Sequence, residues 1–241
     1  MVLDKFKFLV AHRGDHESAP ENSLRSLKTA INSGAKFVEF DVQLSRDLVP
    51  FMLHDANLFR TTGRDINILK TTSRGLDKIH LLDKAKVPQE YMPSLSQTVD
   101  MLNSHEKLKA FIELKTQSIA EFGINKVLDK VLDVLKDAKF KYVLISYNAE
   151  LVSAAKTCGI QTGWVSDYLD SYIIKRVDGL NADCLFTSYK SVLNFNNFGK
   201  DFKLAVFTVN SVDLVKRLLQ YEVDLIETDL FSRLVKNLKN A

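Results

Sequence analysis

Residues 36–44 read KFVEFDVQL, and residues 49–53, a few positions on, read VPFML. In an extended chain, side chains alternate between the two faces. Glu39 and Asp41 therefore share one face, while Val38, Phe40 and Val42 take the other. The apolar face needs a layer of helices over it. The face with two carboxylates needs a setting that can neutralise them, because unpaired buried charge is too costly. A strand of this kind fits the wall of a barrel, with its acids pointing inward.

The same alternation of short apolar runs and longer amphipathic ones continues to both ends. Strands are expected near 6, 36, 109, 142, 160, 183, 203 and 224, each followed by a helix. Leu24, Leu27 and Ile31 mark the first helix, which Gly34 ends. Ile124, Val127, Leu128, Val131, Leu132 and Leu135 mark one continuous helix expected over 119–138. Strict strand–helix alternation implies a parallel sheet with right-handed crossovers. Eight units in 241 residues point to a (β/α)8 TIM barrel. The rival is an open doubly wound sheet, but no GxGxxG follows the first strand. Residues 56–93, which carry TTGRD, TTSRG, Pro88 and Pro93, break the rhythm after the second strand. They read as an inserted subdomain or lid on a single catalytic domain spanning 1–241.

The bulk properties bound the function. Net charge is +3, from 33 basic and 30 acidic residues with no basic block, which argues against nucleic acid as a partner. No run approaches the ~18 apolar residues of a membrane helix. Cys158 and Cys184 form no metal-binding pattern, and two lone thiols fit a reducing compartment. Lys5 and Lys7 break the N-terminal apolar run, which makes a poor signal peptide. The expectation is a cytoplasmic protein. Oligomeric state is open.

Barrel enzymes work at the C-terminal ends of their strands. Here those ends carry His12-Arg13-Gly14, Glu39 and Asp41, His54-Asp55, Glu113-Leu114-Lys115, and Glu227-Thr228-Asp229. Three carboxylates at neighbouring strand ends, Glu39, Asp41 and Glu113, suit a hard divalent cation: Mg²⁺, Ca²⁺ or Mn²⁺. Arg13 and Lys115 suit a phosphate, the first as a planar fork and the second as a point charge. His12 and His54 suit an acid and a base working near neutral pH. His16, His80 and His105 read as structural or surface residues. In Pro20-Glu21-Asn22-Ser23, Asn22 or Ser23 can cap the following helix. That loop also faces the site, so Glu21 and Asn22, like Asp55, can support it.

The string HRG, ENS, EFDVQLSRD, VPFMLHD, with IELK further on, resembles the glycerophosphodiester phosphodiesterase family. The dense match covers residues 10–55, and MPSLSQTVDML, FIELK, VLISY, FTVN and VDLIETD continue it in order. The resemblance implies a (β/α)8 barrel with a small insertion after the second strand. It implies hydrolysis of glycerophosphodiesters to glycerol 3-phosphate and an alcohol through a cyclic phosphate. The residues matching Glu39, Asp41 and Glu113 would bind one divalent cation. Those matching His12 and His54 would be general acid and base, and those matching Arg13 and Lys115 would contact phosphate. Leu48 stands where the family usually has Gly, and Phe207 where an aromatic, often Trp, faces substrate. ENS replaces the commoner ENT, and TDLFS lacks a frequent Pro. Two alternatives stand beside this expectation. Lysophospholipids would be cleaved if Leu58, Phe59, Ile66, Ile68, Leu69, Ile79, Leu81 and Leu82 lined an apolar groove. A phosphoester-binding barrel would have lost turnover.

Overall fold

The computed structural model describes residues 6–17, 19–83, 85, 88–195 and 201–240. Eight parallel strands close on themselves. They are β1 (Leu9–Ala11), β2 (Phe37–Leu44), β6 (Lys109–Leu114), β7 (Lys141–Ser146), β8 (Thr162–Ser166), β9 (Cys184–Ser188), β10 (Lys203–Phe207) and β11 (Leu225–Thr228). Closure runs through β1, where Val10 pairs with Glu227 on one side and Phe37 on the other. A short strand β3 (Pro50–Met52) lies antiparallel on β2, with Val42 opposite Met52.

The period-two reading of β2 holds. Val38, Phe40 and Val42 pack outward with the helix layer, in one cluster with Leu27, Val99 and Val131. The inward-facing residues of the other strands form a separate core of Val10, Phe111, Val143, Ile145, Val165, Phe186, Ala205 and Leu225. Phe111 meets Phe186 edge-on, with ring centroids 5.0 Å apart. These side chains fill the inside of the sheet, which is a packed core and not a channel.

Helices α1 (Leu24–Asn32), α4 (Leu95–Leu102), α5 (Thr116–Phe122), α6 (Ile124–Leu135), α7 (Ala149–Thr157), α8 (Ser171–Leu180), α9 (Tyr189–Leu193), α10 (Val212–Leu218) and α11 (Phe231–Lys239) cover the outside. Ser23 caps α1 by accepting from the Ser26 amide at 3.0 Å. Ser94 caps α4 in the same way, with Gln97 completing a capping box. Gly34 follows α1 at φ +99°, as its position suggested.

The single helix expected over 119–138 is two. Gly123, at φ +84° and ψ 155°, breaks it between α5 and α6. Only glycine adopts that conformation cheaply. The apolar stripe that signalled the helix begins after the break, at Ile124. The separate α5 lets the Ser118 hydroxyl reach the β2 edge, where it donates to Gln43 Oε1 at 2.5 Å and accepts from the Leu44 amide at 2.9 Å. The first strand, expected near 6, starts later, since only Leu9–Ala11 pair. The end of the helix or turn expected near 190–198 lies outside the described residues.

Residues 56–93 hold two one-turn helices, α2 (Phe59–Thr62) and α3 (Ser73–Leu76), a 3-10 turn at Ile68–Lys70, and a hairpin of β4 (His80–Leu82) and β5 (Pro88–Tyr91). Phe51, Leu58, Ile68, Leu76, Ile79, Leu81 and Met92 form a small core of their own. Leu48 in the β2–β3 turn sits at φ +64°. The turn thus keeps the left-handed geometry that suits glycine and accepts the strain of a leucine there.

Candidate active site

The acids converge as their strand positions require. Asp41 pairs in register with Glu113 across β2 and β6. One carboxylate oxygen from each of Glu39, Asp41 and Glu113 can be chosen so that all three lie within 4.8 Å of one another. The loops after β1 wrap round them. Arg13 and Asn22 both take left-handed backbone, at φ +53° and +52°. This turns the Arg13 amide onto Glu39 Oε2 at 3.0 Å. The Asn22 side chain donates to Asp41 Oδ2 at 2.8 Å and accepts from the Asp41 amide at 3.0 Å. Gly14 follows at φ +83°, where a Cβ would come within 2.6 Å of the Ser26 backbone, so only glycine lets this turn lie against α1.

The two cations proposed for phosphate stand on the carboxylates. Arg13 Nε lies 3.1 Å from Asp41 Oδ2, and its NH1 donates to Glu21 Oε1 at 3.0 Å. Lys115 Nζ donates to Glu113 Oε1 at 2.6 Å and lies 3.2 Å from Asp41 Oδ1. Burial alone would raise Asp41, but the Lys115 ammonium and the Arg13 guanidinium outweigh it and hold its carboxyl below the usual range. Glu39 goes the other way, raised well above that range by burial and by the charges of Asp41 and Glu227. Burial and Asp41 push Glu113 up to about 7. Glu227, at the end of β11, is also buried and raised, by desolvation and by Glu113. Four inward carboxyls thus share two cations, and Glu39 Oε1 and Glu227 Oε1 are buried without a hydrogen bond among the described residues. A site with surplus acid and orphaned oxygens, built wholly from oxygen donors, fits a hard divalent cation.

Each proposed catalytic histidine is held by a carboxylate. His12 Nδ1 lies 2.8 Å from Asp229 Oδ1, and its Nε2 lies 3.9 Å from Glu39. With the proton on Nδ1, the Nε2 lone pair is directed at the acids. His54 Nδ1 contacts Asp55 Oδ1 at 2.6 Å, and Gln43 holds the His54 carbonyl at 3.0 Å. Burial lowers the pKa of both rings, against the opposing pull of their carboxylate partners. Asp55 passes the contact on. Its Oδ2 accepts from Arg60 Nε at 2.5 Å, and Arg60 grips both oxygens of Glu21 at 2.5 and 2.8 Å. A charged chain therefore runs from His54 through the insertion to Arg13.

His12, Arg13, Glu39, His54, Glu113 and Lys115 all line one pocket of about 110 Å³, closed on the far side by Ile145, Tyr147, Val165, Phe186, Phe207 and Glu227. That is small beside the ~300–1,000 Å³ of sites for drug-sized ligands. A wider hollow of about 670 Å³, between Lys36 and Lys107, lies at the opposite end of the barrel strands, away from these groups.

Every residue singled out for chemistry is in the pocket or one contact from it. Sequence reasoning gave no role to Asp229, Asn210, Arg60, Tyr147 or Glu227, and read His16 as a structural or surface residue. His16 Nε2 lies 2.9 Å from the same Asp229 oxygen, and Asn210 donates to the other at 2.8 Å. The string Glu227-Thr228-Asp229 at the last strand end was the available signal.

The glycerophosphoryl diester phosphodiesterase family model matches residues 12–232. A glycerophosphodiester phosphodiesterase of Caldanaerobacter subterraneus subsp. tengcongensis is 29% identical over 147 residues, covering 58% of this chain and 58% of that protein. Glycerophosphodiester phosphodiesterase 1 of Mus musculus is 32% identical over 111 residues, covering 44% of this chain and 33% of that protein. The matched parts thus span less than two thirds of these relatives. Among solved structures, an Oleispira antarctica phosphodiesterase in complex with the product sn-glycerol-3-phosphate superposes with a TM-score of 0.85 at 25% identity, covering 99% of both chains. A glycerophosphodiester phosphodiesterase from Parabacteroides distasonis, at 24% identity and TM-score 0.83 over 96% of both chains, shares the fold.

Proposed function

Because this chain belongs to the glycerophosphoryl diester phosphodiesterase family, we propose that it hydrolyses small glycerophosphodiesters to glycerol 3-phosphate and an alcohol, as one catalytic barrel domain using one divalent cation. The observation that carries this reading is the meeting of two carboxylate-held histidines, three ligand-spaced acids and two cations around one small pocket.

Glu39, Asp41 and Glu113 would hold the ion, with Mg²⁺, Ca²⁺ and Mn²⁺ all compatible with an oxygen donor set. When bound, such an ion supplies Lewis-acid polarisation of the phosphoryl oxygens and lowers the pKa of a nearby hydroxyl. Arg13 and Lys115 would turn part of their charge to the non-bridging oxygens. Phe207 would wall the pocket against the substrate. One of His12 and His54 takes the proton from a glycerol hydroxyl as its oxygen attacks phosphorus. The other gives a proton to the departing alkoxide. The resulting cyclic phosphate is opened by water, with the two histidines exchanging roles. Glu21, Asn22 and Asp55 support this set by holding Arg13, Asp41 and His54.

A small diester is favoured over a lysophospholipid because Leu58, Ile68, Ile79 and Leu81 are spent in the insertion's own core and leave no acyl groove of those residues. Among the described residues no helix is long and apolar enough to cross a membrane. We place the enzyme in the cytoplasm on the strength of its two free cysteines.

The test is release of glycerol 3-phosphate from glycerophosphocholine, in EDTA and with each ion, for wild type and His12→Ala. Activity restored by an ion and abolished in the variant is expected. Turnover as fast without metal as with it would overturn the mechanism.

A further inference from the structure

Glu227 has no part in the mechanism above, yet it is a buried acid of the same pocket. It is 3% exposed, its Oε1 has no hydrogen-bond partner among the described residues, and it lines the cavity that His12 and Lys115 share. A buried polar atom without a partner is costly to keep, and leucine would fill such a place in the barrel wall without that cost. A partner that arrives with the ligand would account for it.

Its surroundings say which part of a ligand that is. Val206 on β10 pairs with Ile226 on β11, so one step further Phe207 stands beside Glu227, and both face in. Ile145, Val165 and Phe186 make the neighbouring wall apolar. The cations Arg13 and Lys115 lie toward β1, β2 and β6, over the acids. The pocket is thus polarised. One side attracts the anionic phosphate. The other offers a ring for C–H contact and one carboxyl for hydroxyl groups, a combination that suits a short polyol.

We propose that Glu227 is a specificity-determining residue whose carboxyl hydrogen-bonds the hydroxyl groups of the substrate's glycerol moiety. The proposal rests on the functional reading above and adds the residue that tells a glycerol ester from a bare phosphate. A site built to bond a hydroxyl discriminates strongly against ligands that lack it, because its own buried group is then left unpaired.

The experiment is calorimetric titration of the full metal-loaded chain with glycerol 3-phosphate and, separately, with inorganic phosphate, alongside thermal melts without ligand. Wild type is expected to bind glycerol 3-phosphate more tightly than phosphate by about tenfold or more. Glu227→Leu should remove that preference and leave phosphate affinity within about twofold, since no bond to phosphate is lost. Glu227→Gln, which keeps a donor and an acceptor, should retain the preference within about threefold. Glu227→Leu should also melt higher, because an unpaired buried carboxyl is gone. A structural residue would show the reverse, a lower melting temperature. Glu227→Met carries the same expectations if the leucine variant does not fold. A preference that survives in Glu227→Leu, equal losses for both ligands, or a glutamine variant as impaired as the leucine one overturns the proposal. Wild type that binds phosphate but shows no preference for glycerol 3-phosphate overturns it too, while metal-dependent diester hydrolysis by that same protein would leave the functional reading standing.

Discussion

Asp229 Oδ1 lies 2.8 Å from His12 Nδ1, although 217 residues separate the two in the chain. The carboxylate is fixed in turn. Asn210 donates to its Oδ2 at 2.8 Å and accepts from its amide at 2.9 Å. Burial would raise the Asp229 pKa, but its bonds to His12 and His16 reverse that and keep it ionised. Asp229 therefore sets the tautomer of His12 and leaves Nε2 free toward Glu39.

Replacing Asp229 by Asn keeps the size and one hydrogen bond but allows the wrong tautomer. The expected result is a fall in kcat of about 10²–10⁴-fold with KM nearly unchanged, as for other carboxylate-held catalytic histidines. Steady-state kinetics on glycerophosphocholine check it. A kcat within threefold of wild type would remove Asp229 from the mechanism.

Among the described residues the Asn22 side chain bonds Asp41 twice and no other acid, so its effect should be on ion affinity. Asn22→Ala frees Asp41 to rotate, and should weaken divalent-ion binding by about 10–100-fold, the usual cost of losing a residue that orients a ligand. Competition against a chelating dye measures this directly, without reference to turnover.

Arg60 links Asp55 to Glu21 in the charged chain described above. It is about half exposed, so Arg60→Ala should change stability by less than about 1 kcal/mol. With Asp55 released, His54 loses its orientation, and activity should fall about 5–50-fold. Paired melts and kinetics would show a small change in the first and a clear one in the second. Equal, negligible changes would mean that the insertion does not help to place His54.

The acids predict an unusual pH dependence for metal-free protein. Glu113 sits at about 7 against an ordinary 4.5, so between those values the folded state binds more protons than the unfolded one. Its contribution to stability therefore grows as pH falls from 8 through 7 and is complete near 4.5. His12 and His54 act oppositely. Their lowered values make the unfolded state the better proton binder below 6.5. The Glu113 effect is cleanest between pH 8 and 6.5, as the difference between wild type and Glu113→Gln in EDTA. Over that span wild type should gain about 1 kcal/mol more than the variant, or ~2–4 °C in Tm. Saturating Mg²⁺ should abolish the gain, since the ion takes the place of the proton.

Most of the chemistry was legible because strand periodicity and strand ends are local properties. Glu39 and Asp41 declare a shared face by being two apart, and His12, His54, Glu113 and Lys115 end runs that read as strands. The break at Gly123 was missed because the apolar stripe of α6 is strong enough to carry the eye past it. Lys115 and Arg13 were assigned to phosphate from their charge, their place at the strand ends and the family resemblance; in the folded chain their first partners are Asp41, Glu113 and Glu21.

The sequence by itself determined the eight-unit barrel, the face on which the acids lie, and the end of the sheet where the chemistry gathers, since these follow from side-chain alternation and the order of elements. Only the tertiary structure decided which distant residues meet. Closure of the sheet sets β11 against β1, and that pairing alone brings Asp229 to His12 and turns Glu227, unpaired, into the pocket. Periodicity fixes where a side chain points relative to its own strand. Its partner across the barrel depends on the register at which the sheet closes, which no local pattern encodes.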